Sequence, residues 1–158
     1  MFRSNRVAAA ALALALVSLP ASAITAVQTV ERMVTETLED GSVKVSYVEA
    51  DRIQPGEEVI YRLSYENNLE TAAGNVALVM PVPQEVRYIE GSAVEPGTAV
   101  SFSVDGGETF AAMNELSVET AGRIRSAAAS DVTHIRWTFE QEIAAGAKGD
   151  ILFKAILR

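Results

Sequence analysis

The stretch Val59-Ile-Tyr-Arg-Leu-Ser-Tyr65 decides the fold class. Val59, Tyr61, Leu63 and Tyr65 fall on one side of an extended chain, and Arg62 and Ser64 fall on the other. A period of two residues is that of a strand with one face in a core and one in water. The same division recurs in Thr133–Phe139, where Ile135, Trp137 and Phe139 oppose His134, Arg136 and Thr138. It recurs again in Ile151–Leu157, where Ile151, Phe153, Ala155 and Leu157 share a side and Lys154 points away. Trp137 is expected to anchor the core.

Turn-forming residues stand where these runs stop: Asp40-Gly41, Pro55-Gly56, Asn67-Asn68, Pro81 and Pro83, Pro96-Gly97, Asp105-Gly106-Gly107, and Gly146 to Gly149. Short strands at this spacing, with no long helical pattern between them, predict an all-β, antiparallel β-sandwich. Two stretches are ambiguous. Val27, Val30, Val34 and Leu38 fit a helical face, although the Asp40-Gly41 turn after them favours a hairpin. Residues 120–130 are small and polar, which suits a longer loop or a one-turn helix.

The first 23 residues have a different character. Arg3 and Arg6 precede an apolar run of 13 residues from Val7 to Leu19, followed by Pro20 and Ala21-Ser22-Ala23. Charged, apolar and small-residue parts in this order are those of a secretory signal peptide, with cleavage expected before Ile24. The run falls short of the roughly 20 residues that cross a bilayer as a helix, so no stable membrane insertion is expected after cleavage. Residues 24–158 then form one domain, in the periplasm or outside the cell.

The leader takes two arginines and no acid from a chain with 13 basic and 21 acidic groups. The remainder therefore carries 11 against 21, a formal net charge of −10. Such a surface repels nucleic acid, and no nucleic-acid partner is expected. The absence of cysteine excludes a disulfide framework and thiolate chemistry. A single histidine, His134, leaves little for a histidine metal site or for histidine catalysis. No cofactor is expected.

The segments Gln54–Asn67, Ala73–Pro83 and Tyr88–Ser92 resemble the bacterial conserved-repeat domain, also called the domain of unknown function eleven. The likeness lies in a Pro-Gly turn, an alternating strand holding tyrosine and ending in asparagine, and a Pro-x-Pro after the next strand. It covers residues 50–110 most closely. The resemblance implies an immunoglobulin-like sandwich of a bacterial surface or secreted protein, with no shared active site. Pro55 and Gly56 suit a tight entry into the Val59 strand, Asn67 suits a cap at its end, and Pro81 and Pro83 suit an edge or crossover.

Ser103–Phe110, SVDGGETF, resembles the Asp-box of sialidases and other propeller proteins. Without an internal repeat, a chain of this length holds too few blades for a propeller, so the stretch is expected to be a hairpin. Its alternative is a small calcium- or carbohydrate-binding module using Asp105 and Glu108, although calcium takes six to eight oxygens and the loop has no dense acidic ladder. Arg123, Arg125 and Arg136, with His134, form a cluster in sequence that suits a carboxylate or phosphate. The simpler expectation is exposed charge paired with Asp131 or Glu119. Ser130, Asp131 and His134 assemble a nominal triad, but lie too close along the chain to converge. Tyr61, Tyr65 and Tyr88 are candidates for a sugar-stacking face, with the core the stronger expectation for Tyr61 and Tyr65. The expected function is non-catalytic: binding to an envelope or surface protein, or assembly, through sheet edges or loops.

Overall fold

A computed structural model describes residues 24–158; the leader expectation falls on residues 1–23, outside the described residues. The strands are β1 (Ile24–Thr37), β2 (Val43–Glu49), β3 (Glu58–Asn67), β4 (Ala77–Pro81), β5 (Val86–Tyr88), β6 (Thr98–Ser103), β7 (Ser117–Thr120), β8 (Arg123–Ser126), β9 (His134–Phe139) and β10 (Lys148–Leu157). They pair antiparallel throughout. One sheet runs β2-β1-β3-β10-β5, a second runs β4-β9-β6, and β7-β8 is a separate hairpin. The first two pack face to face as a β-sandwich.

The alternation read from sequence sets the packing. On β3, Val59, Tyr61 and Leu63 are buried, and on β10 Ile151, Phe153 and Ala155 are buried. Register places Phe153 directly opposite Tyr61, and the rings stack 4.9 Å apart and 5° from parallel. The facing sheet contributes Met80, Ile135 and Trp137, with Leu78, Val100 and Phe102 around them. Trp137 is fully buried, and its indole N–H donates to the Ala93 carbonyl at 2.7 Å, which satisfies the ring's only polar group. Tyr88 is 1 % exposed and sits against Phe102 and Phe153. Tyr61 and Tyr88 are thus core residues, and Tyr65 packs at the core margin against Phe139.

Asn67 is a buried polar side chain at the end of β3. Its Oδ1 accepts from the Leu69 N–H, the local cap expected from sequence. Its Nδ2 also donates to the carbonyls of Thr71, Ile143 and Ala144, which ties the strand end to the segment before β10.

Two ambiguous stretches are settled. Residues 24–49 form a β-hairpin, with no helix: Leu38 N–H donates to Ser42, Asp40 accepts from the Ser42 N–H, and Gly41 supplies φ +81°. Residues 120–130, expected as a longer loop or a one-turn helix, hold the turn and second strand of the β7–β8 hairpin, and a one-turn 3-10 helix, Ala129–Asp131, stands at their end. Ala121 and Gly122 take φ +52° and +75°, as a two-residue hairpin turn requires. Alanine rarely adopts that conformation, so this hairpin lacks the usual Asn-Gly signature in its sequence.

Replacing Asn67 by Ala removes the side-chain hydrogen bonds to Thr71, Ile143 and Ala144, although the Ile143 and Ala144 carbonyls keep the backbone N–H groups of Ala73 and Ala147. Each such hydrogen bond contributes about 0.5–1.5 kcal/mol, and denaturant unfolding of Asn67→Ala is expected to show a loss of about 1–3 kcal/mol. A variant of unchanged stability contradicts this role.

Candidate functional site

The Asp105 loop, closed by the Phe102–Ala111 bridge, is internally complete. The Asp105 carboxylate accepts from Ser103 Oγ at 2.6 Å, from Thr109 Oγ1 at 2.5 Å, and from the backbone N–H groups of Glu108 and Thr109. Ser103, itself fully buried, also accepts from the Gly107 N–H, and Thr133 Oγ1 accepts from the Gly106 N–H. The carboxylate oxygens thus face inward to the turn that they hold. The Ser103 hydroxyl first, then Thr109, hold the Asp105 carboxyl well below the usual carboxylate range. Glu108 is exposed and contributes its backbone N–H here. Among the described residues, no group of three His, Asp or Glu side chains is arranged to hold a metal ion.

The basic residues are separated by their partners. Arg125 makes a two-pronged pair with Asp131 at 2.7 and 2.8 Å. That pair, opposed by partial burial and helped by the Ala128 N–H, lowers the Asp131 carboxyl to about 2. Arg136 lies 4.4 Å over the Phe110 ring and donates to Ser101 Oγ. Arg123 is exposed on the β7–β8 hairpin. The nominal triad does not come together: Asp131 engages Arg125, and the His134 ring meets Thr133 Oγ1 at 3.3 Å.

The sheet edges differ sharply in protection. β4 ends in Pro81, β5 has three residues, and the β6 edge is covered through the Phe102–Ala111 bridge. β2 has seven residues, no proline and an unbroken register with β1. Proline, shortness and covering loops are among the ordinary means of blunting an edge, and β2 has none of them; its charges are Lys44 and Glu49. The N–H of Ala50 donates to Val30 and that of Leu38 to Ser42, so the even-numbered residues of β2 direct their backbone groups at β1. Val43, Val45, Tyr47 and Glu49 direct theirs outward.

The same residues carry exposed apolar side chains. Register puts Met33 opposite Tyr47, Thr35 opposite Val45 and Thr37 opposite Val43, on the face turned away from the sandwich core. Met33 is 51 % exposed, Val43 60 %, Val45 49 % and Tyr47 51 %. Over the centre of the sheet that outer face is ionic instead: Arg62 bridges Glu31 and Asp150, Lys148 pairs with Glu66, and Lys154 pairs with Glu58. The apolar stripe therefore belongs to the β1–β2 hairpin. The alternation of Val43, Val45 and Tyr47 is the sequence signal that could have identified it.

No family model, curated protein or solved structure matches the chain.

For Asp105 and Asp131 the folded-state pKa lies below the ordinary carboxylate value near 4. Their stabilising contribution is present above that value and is lost as pH falls through the lowered folded values. Asp105→Asn is expected to be less stable than the parent at pH 7, with the gap narrowing between about pH 5 and pH 2. Chemical denaturation at a series of pH values checks this; a gap of constant size contradicts it.

Proposed function

We propose that this chain is an exported, non-catalytic bacterial β-sandwich that works by protein binding or assembly, through strand addition at the β2 edge. The observation that carries this reading is the coincidence, on one seven-residue strand, of unpaired outward backbone groups with exposed Val43, Val45 and Tyr47. An added strand gains main-chain hydrogen bonds, and the alternating side chains give it register. An apolar strand edge left in water is an aggregation hazard, so an edge of this kind is consistent with one that a partner covers. The charged and apolar parts of residues 1–23 support export, to the periplasm or beyond. The resemblance to the conserved-repeat domain supports a surface or secreted setting.

The test is a photo-activated cross-linking residue placed at Val45 in the expressing cell, with an equivalent at the exposed residue Val94 as reference. Discrete adducts are expected from position 45 and not from position 94. Equal labelling, or none, contradicts the edge as the working surface. Export is checked on the same material: N-terminal sequencing begins at Ile24 on this reading, and a retained Met1 contradicts cleavage.

A further inference from the structure

We infer that the strand added at the β2 edge is the β2 strand of a second copy of this chain, paired antiparallel about a two-fold axis through Ser46. The inference rests on the strand-addition reading and identifies its partner. It follows from the self-complementarity of Val43-Lys-Val-Ser-Tyr-Val-Glu49.

Two copies of one edge related by a two-fold axis normal to the sheet are antiparallel and keep their faces aligned, so directly opposed residues must have the same parity. With Ser46 opposite its own counterpart, Val45 faces Tyr47, Val43 faces Glu49 and Lys44 faces Val48. The opposed residues Val45 with Tyr47, and Val43 with Glu49, are those whose backbone groups point outward from β1. They therefore exchange hydrogen bonds in both directions, and all four outward residues of each strand are used. Moving the register by two residues in either direction leaves two residues of each strand unpaired.

The side chains agree with the same register. Val45 against Tyr47 occurs twice, once on each side of the axis, and an aromatic residue opposite a β-branched one is a favourable cross-strand pair. Lys44 and Glu49 are the charged residues of the strand, and each faces a valine, so no like charges are opposed. This matters in a chain whose residues 24–158 carry a net charge of −10, because most of its surface repels a second copy. The β2 strand itself is neutral. Pairing would join the two apolar stripes of Met33, Val43, Val45 and Tyr47 across the axis and continue the sheet from one sandwich into the next.

Ser46 provides a direct test because the chain has no cysteine. Its backbone groups point at β1, so Ser46 opposite Ser46 is a non-hydrogen-bonded pair, with Cα atoms about 4.5 Å apart. That distance lies within disulfide range. Under mild oxidation, purified Ser46→Cys is expected to form a covalent dimer several-fold faster than Val27→Cys, which is exposed on the outer face of β1. The unsubstituted protein is expected to show a concentration-dependent dimer by sedimentation. Val45→Pro is expected to abolish it while keeping the monomer's spectrum, because the Val45 N–H serves no bond within the chain.

Ser46→Cys that cross-links no faster than Val27→Cys, with a parent that stays monomeric at high concentration, overturns self-pairing. If position 45 then still labels another protein in the cell, the strand-addition reading survives with a different partner. If it labels none, both fall.

Discussion

The pairing of β3 with β10 is the constraint on which the rest of the molecule depends. Its register sets Tyr61 on Phe153 and aligns Leu63 with Ile151 and Val59 with Ala155, so that one face supplies half of the core. The opposite face is mixed: Lys148 lies opposite Glu66 and Asp150 opposite Ser64, with Ile60, Leu152 and Ile156 among the charges. A slip of one residue would send every one of these side chains to the wrong face. Asn67 fixes the end of the pair, because its amide meets carbonyls on both sides of the junction.

The position of the β1–β2 hairpin follows from that frame. β1 meets β3 only through Ile24–Glu31, and it meets β2 through Glu31–Thr37. The hairpin therefore extends past the start of β3, held at its root by the Arg62–Glu31 pair and by Val30 against the core. Beyond the root, its apolar side chains have no facing sheet. A two-stranded ribbon of this kind is marginal on its own. That combination of a firm root, a marginal tip and an open edge is suited to a segment completed by pairing with another strand.

The core was legible in the sequence because burial and strand period coincide there: Val59, Tyr61, Ile135, Trp137, Ile151 and Phe153 all declare their face by alternation. The SVDGGETF turn was legible because its chemistry is local: Ser103 and Thr109 converge on Asp105. Other features were hidden for physical reasons. The β7–β8 turn uses Ala121 at positive φ, which composition does not signal. The pairing of Arg125 with Asp131, six residues on, was the simpler expectation from sequence, whereas the place of Arg136 over the Phe110 ring depends on a tertiary contact. The open edge at β2 is a property of strand order, since alternation in Val43–Glu49 looks the same whether the strand is central or at the edge.

The proposed pairing surface consists of the outward backbone groups of β2. Amide-resolved hydrogen exchange measures those groups directly. In dilute protein, the amides of Lys44, Ser46 and Val48, directed at β1, are expected to be protected, while those of Val45, Tyr47 and Glu49 exchange freely. With rising protein concentration, or with a captured partner, the second set is expected to gain protection and restore an unbroken ladder. If Val45, Tyr47 and Glu49 exchange at the same fast rate in every state of the protein, the edge is an ordinary solvated one and the account is contradicted.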